Sequence, residues 1–378
     1  DDADTEEEDE ADEQDEKPAR KSASASGKAS KKGDVQLIDG VPEHFIGPQL
    51  KDVIMHEVGH TLGLRHNFKG STIYDLDEMN HPDMKGKPIA GSVMEYLPVN
   101  INFGEDADQG EYTMVTLGPY DYWVIEYGYG DNPKKTLERV AEPMLAFATD
   151  EDTRGPDPSA RRFDNAKNPL DFADSQVALV THLREKIIDD MVEDGESWSE
   201  ARKAYQLLLG KHAQAVGIAA NWVGGTYLNR DKKGDPENRL PIVDIPADQQ
   251  RRALMFVLEN TMHDHCFGLT PELLHRMTVD KWYDGGGMRY LSQDNTFPVH
   301  SSISGIQSSA LSMILNPTTL SRLYDNEFRN MGEDDVLNIP EVMNSVRGEI
   351  WLELEDDNPG RSDNNDPYIS SLRRNLQR

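Results

Sequence analysis

The chain has 378 residues, a net charge of −30 and one cysteine, Cys266. That charge argues against nucleic acid and anionic membranes as partners, and a single thiol excludes an intrachain disulfide. No apolar run approaches the ~20 residues of a membrane-spanning helix, and no signal peptide is visible, while a hydrophobic content of 37% is enough for sizeable cores over two or three domains.

Residues 1–33 are of low complexity. Twelve of the first sixteen are Asp or Glu, and Lys17 to Gly33 is a mixture of Lys, Ala and Ser. Neither half can bury enough apolar surface to offset chain entropy, so a disordered acidic tail is expected. The first residue is Asp1 rather than Met, which reads as a processed product or a piece of a longer protein. Val35-Gln36-Leu37-Ile38 reads as one short strand, with Gly40-Val41-Pro42 as its turn.

Leu50, Val53, Ile54, Val58 and Leu62 recur at helical spacing, and predict a helix with that side against the core. The same segment carries His56-Glu57-Val58-Gly59-His60-Thr61-Leu62-Gly63-Leu64-Arg65-His66. Residues four apart on a helix share a face, so the His56 and His60 imidazoles can hold one Zn²⁺ and leave a position for water. Glu57, beside the first ligand, can reach that water as general base. Gly63 tolerates a left-handed conformation and ends the helix, which returns His66 as third ligand. One zinc per chain is expected.

Phe68 to Gly91 reads as loop, with Asp75, Asp77, Glu78 and Asp83 among its acids. Ser92-Val93-Met94-Glu95-Tyr96 follows, with Met94 28 residues after His66. Taken alone, Met94 reads as a core methionine and Tyr96 as a half-buried surface tyrosine. Glu105-Asp106-Ala107-Asp108 with Glu111 is an oxygen-rich loop of the kind that can hold Ca²⁺, although its spacing fits no known calcium loop. Leu117 to Tyr129 predicts a helix opened by Pro119.

Thr149 to Asp171 is rich in Pro, Asp and Arg and reads as a linker. Helical periodicity then dominates over Ser175–Val192, Ser197–Gly217, Gln249–Met262, Ser301–Leu315, Thr318–Arg329 and Ile339–Leu354, with Leu228 to Asp244 as a polar loop. His263-Asp264-His265-Cys266 is the other cluster of ligand-type atoms. Adjacent residues point different ways, so it reads as a helix terminus with a buried cysteine. Gly285-Gly286-Gly287 lacks a phosphate-loop lysine and reads as a turn. The expected organisation is a tail at 1–33, a catalytic core at 34–148, a linker at 149–173 and an all-α domain at 174–378.

H-E-x-x-H-x-x-G-x-x-H followed by a methionine turn resembles the metzincin zinc peptidases, and the Ser-x-Met-x-Tyr form resembles their astacin and serralysin branches. His66-Asn67-Phe68, the methionine turn, Pro119-Tyr120-Asp121 with Tyr127-Gly128-Tyr129, and Gly224-Gly225-Thr226-Tyr227 are similar to large bacterial exported zinc-dependent metalloproteases, over most of residues 45–350. The resemblance implies that Met94 lies beneath the three imidazoles as an apolar floor and does not ligate. It implies that Tyr96 approaches the metal or the developing oxyanion, and that Asp121 bonds to the turn backbone. It further implies export to the periplasm or cell exterior.

The expected fold is mainly α: the lower, zinc-helix and methionine-turn part of a metzincin-like domain, then a helical domain. Fifteen residues between tail and zinc helix cannot form the upper wall such a cleft needs, so an upstream segment is expected to complete it. The expected activity is hydrolysis of peptide bonds in a peptide or protein substrate, by a zinc-activated water with Glu57 as base. A helical binding or scaffold module with a structural zinc is the alternative, and a non-peptide amide substrate is a third reading.

Overall fold

A computed structural model describes residues 36–104, 107–235, 237–281, 293–333, 335–352 and 372–377. The acidic tail, the Glu105-Asp106 pair and the Gly285-Gly286-Gly287 run lie outside these residues.

The described residues fall into two units, one ending at Glu43 and the other beginning at His44. In the first, β1 (Leu37–Ile38) pairs antiparallel with β2 (Val41–Pro42), so Val41 and Pro42 are strand and not turn. Asp39 and Gly40 make the turn, both at positive φ, as a tight two-residue hairpin requires.

The second unit is mainly helical. Helix α1 (Glu43–Thr61) carries the histidine pair. Then come α2 (Leu76–Asn80), α3 (Pro119–Tyr129) and α4 (Pro133–Leu137). Asp75 and Glu78 form a reciprocal capping box at the start of α2, which accounts for two of the loop acids without a metal. Next are α5 (Pro169–Glu185), α6 (Ile187–Asp190), α7 (Ser199–Ala220) and α8 (Ala247–Met262). The series closes with α9 (Pro271–Arg276), α10 (Val299–Ile314), α11 (Pro317–Arg329) and α12 (Ile339–Ile350). Between α7 and α8 the chain is not all loop. There, β3 (Thr226–Leu228) pairs antiparallel with β4 (Ile242–Asp244), too short a pair to leave a periodic pattern.

Two apolar cores hold the helices. One gathers Ile218, Trp222, Leu254, Val257, Met262, Ile314 and Leu323; the other gathers Tyr205, Ile187, Phe267 and Ile303. Truncating one such side chain typically costs ~2–5 kcal/mol. A smaller core of Met79, Ile89, Ala90, Val93, Met94, Met114 and Ala166 underlies the histidine helix. The His263–Cys266 cluster is a helix end, as expected. The Cys266 Sγ donates to the His263 carbonyl, burial raises its thiol to about 12, and His263 Nε2 pairs with Glu349 at 3.0 Å.

Two expectations are corrected. Residues 149–173 are not a linker, and the second unit has no break there. Asp164 and Asn165 are fully buried, and Ala166 belongs to the core under the histidine helix. Arg161 N donates to Phe68 O, Phe163 N to Tyr96 O and Lys167 N to Tyr74 O. These bonds hold Phe163 and Ala166 at positive φ, which non-glycine residues adopt only when their surroundings impose it.

The second correction concerns α1. Its apolar stripe does not face the core: Leu50 is 52% exposed, Val53 59% and Ile54 63%, with Val58 and Leu62 also exposed. The buried side carries His56 and Gly59. The helix therefore rests on its ligand face, and helical spacing alone does not say which of two candidate faces is covered. Among the described residues no helix is long and apolar enough to cross a membrane.

Candidate metal centre

The end of α1 is built by a turn at Gly63, which sits at φ +84°. Gly63 N donates to His60 O and Leu64 N to Gly59 O. That closure turns the chain back and brings His66 to the helix pair. Ring centroids lie 4.7 Å apart for His56–His60, 4.8 Å for His60–His66 and 5.4 Å for His56–His66. One ring nitrogen from each falls within 4.8 Å of the others.

Each imidazole is oriented by its other nitrogen. His56 Nδ1 lies 2.8 Å from Val93 O, His60 Nδ1 3.0 Å from Leu64 O, and His66 Nδ1 2.9 Å from an Asp150 carboxylate oxygen. A carbonyl only accepts, so Nδ1 of His56 and His60 carries the proton and Nε2 keeps its lone pair. The His56 Nε2 is buried and has no hydrogen-bond partner, and burial lowers the basicity of this ring below the usual histidine range. A buried, unpartnered imidazole lone pair beside two others fits a Zn²⁺ ion. Glu57 stands exposed next to His56.

The methionine turn lies beneath. Met94 is fully buried, and its sulfur abuts Gly59 so closely that a Cβ there would overlap it. The turn is held from both sides. Asn67 N donates to Met94 O. From α3, Asp121 accepts Ser92 Oγ at 2.6 Å, Val93 N at 2.9 Å and Gly118 N at 2.8 Å. Hydrogen bonds to a charged group are worth ~1.5–3 kcal/mol each, so this carboxylate is a principal brace of the turn. Burial pushes its carboxyl upward against those three bonds. Tyr129, at the other end of α3, donates to Leu62 O.

The Tyr96 hydroxyl lies 2.8 Å from His66 Nε2, which places it at the mouth of the histidine cluster. Phe163 stacks on its ring with centroids 5.9 Å apart.

Several residues here were not singled out from the sequence. Asp150 is the partner of His66, and Arg162 holds its second oxygen at 2.8 Å. The hydrogen bond from His66 holds its carboxyl below the usual carboxylate range. Arg162 also lies over the Phe68 ring, which itself stacks on His66 at 4.9 Å. Glu95 is buried and accepts Gly70 N, Ser71 N and Tyr96 N. Its neighbour Asp164 accepts Ser71 Oγ, and burial pushes both carboxyls up, Asp164 to about 6. A charge inside an otherwise apolar turn was the one local signal for Glu95. Asp150 lies 84 residues from His66 and left none. Among the described residues, His, Cys, Asp and Glu side chains gather in no other group of three or more that could hold a metal.

A histidine pair on one helix, a third histidine after a glycine turn and a methionine floor define the class of zinc-dependent peptidases. The chain matches the family model described as Met-zincin over residues 39–358, and it belongs to that family. No curated protein and no solved structure gives a significant match. Family and histidine cluster together support a zinc metallopeptidase.

Proposed function

We propose that this protein hydrolyses peptide bonds at His56, His60 and His66, with Glu57 as general base. The observation that carries the reading is the tethering of all three Nδ1 atoms by acceptors, with one ring nitrogen from each histidine within 4.8 Å of the others. Those nitrogens would hold zinc, which when bound supplies Lewis acidity toward water and a peptide carbonyl. Glu57 takes the proton of the attacking water and returns it to the leaving amine. The Tyr96 hydroxyl donates a hydrogen bond to the oxyanion that develops. Asp150 fixes the tautomer and direction of His66, and Asp121 fixes the floor below. A structural zinc closes its fourth position with protein. Among the described residues no fourth His, Cys, Asp or Glu joins the cluster, which favours an enzyme over a scaffold. The resemblance to exported metalloproteases supports a location outside the cytoplasm.

Glu57→Gln keeps the side-chain shape and removes the base. Zinc content should stay near wild type while cleavage of a casein or peptide-library substrate falls by a factor on the order of 10² or more. Unchanged turnover in that variant would remove Glu57 from the mechanism.

A further inference from the structure

Away from the histidines, a cavity of about 190 Å³ opens where the turn Asp152–Arg154 meets the end of α7 and the start of α11. That is far above the ~10–15 Å³ one water needs. Thr153, Arg154, Asn221, Asn316, Thr319 and Arg322 give the wall its polar groups. No Asp or Glu lines it, in a chain with 69 acidic residues against 39 basic ones.

The two guanidiniums are without carboxylate partners among the described residues. Arg322 has a buried Nε with no hydrogen-bond partner, and burial lowers its basicity with no neighbouring charge to offset it. The acids closest to Arg154 in sequence are engaged elsewhere: Asp152 pairs with Arg230, Glu151 with Arg65, Asp157 with Lys69, and Asp150 with His66 and Arg162. A partly buried, unpaired cation is costly, and an anion that enters the cavity relieves that cost. The N-terminal end of α11, capped by Asn316, adds its positive dipole to the same wall.

We propose that this cavity binds a phosphate-type oxyanion between Arg154 and Arg322, with Asn221 as a further donor. Two guanidinium forks from separate segments match a tetrahedral group with three or four acceptor oxygens better than a carboxylate, whose two oxygens one fork would satisfy. The ion is either free phosphate or a phosphoryl group carried by a larger molecule. Thr153 on this turn donates to the Asp150 carbonyl, so the site shares its turn with the residue that holds His66.

Thermal unfolding of the whole chain in sodium phosphate, against sodium chloride at equal pH and ionic strength, tests the site. O-phosphoserine is the second arm. Phosphate should raise the midpoint by a few degrees, since a ligand that binds only the folded state stabilises it. Arg322→Gln and Arg154→Gln should each lose most of that rise, which separates this cavity from phosphate bound at the histidines. A larger rise with O-phosphoserine assigns the site to a carried phosphoryl group, and a smaller one to the free ion. Absence of any rise in the wild type overturns the proposal. So does an equal rise in both variants; Arg154 is exposed, so its variant remains readable if Arg322→Gln does not fold.

Discussion

Asp150 shows how a residue outside the motif can govern the site. Its carboxylate accepts a hydrogen bond from His66 Nδ1 and is itself held by Arg162. Removing such a partner of a ligating histidine typically costs ~10–100-fold in metal affinity. Asp150→Ala should therefore weaken zinc binding by about that factor, while Asp150→Asn, which still offers an acceptor oxygen, costs less. Competition titration against a zinc-binding dye reads both, and wild-type affinity in Asp150→Ala would show that His66 is oriented by its Phe68 stacking instead. The residues of the motif itself were legible because their chemistry is local. His56, His60, Gly63 and His66 lie within eleven positions, and helix geometry plus one left-handed turn converts that spacing into a cluster. Asp150 and Glu95 act through the folded chain, and no period or spacing encodes a partner 84 residues away.

Among the elements, α1 and the methionine turn are fitted to each other through Gly59 and Met94. A methyl group at Gly59 would occupy the space of the Met94 sulfur, and Met94 is fully buried and cannot swing into solvent. Gly59→Ala should destabilise the protein by ~1–3 kcal/mol, the usual range for overpacking, and weaken zinc binding by pushing the turn from the ligand helix. An unaltered unfolding midpoint would mean the turn yields freely. Most helices of the C-terminal half were readable to within a few residues, but α5 opens six residues before the predicted Ser175 and stops at Glu185, and α9 was not predicted. The well-read ones carry an apolar stripe, and α11 and α12 add a side-chain cap, from Asn316 and Asn338. Residues 149–173 were misread because Pro, Asp and Arg there resemble a linker. Three of their backbone N–H groups instead donate to the carbonyls of Phe68, Tyr74 and Tyr96. The stripe on α1 was legible as apolar, but its direction was not.

At the scale of the molecule, that exposed stripe carries a consequence. Leu50, Val53, Ile54 and Val58 present a continuous apolar face on the helix that bears the site. These side chains pack on no core, so Ile54→Ser should shift the unfolding free energy by no more than about 0.5 kcal/mol, the usual range for surface substitutions. The three histidines are local to the other face, so the variant should keep its zinc. A drop of several degrees in the unfolding midpoint would show that the stripe packs against other residues in solution.

The central claim is that three imidazoles form one zinc centre, and the zinc-to-protein ratio measured by elemental analysis after dialysis tests it directly. The wild-type chain should hold close to one zinc. His60→Ala should lose most of it, because two imidazoles hold zinc poorly, and the His56→Ala/His60→Ala/His66→Ala variant should hold none. A full equivalent of zinc retained by that triple variant would place the metal elsewhere and contradict the account.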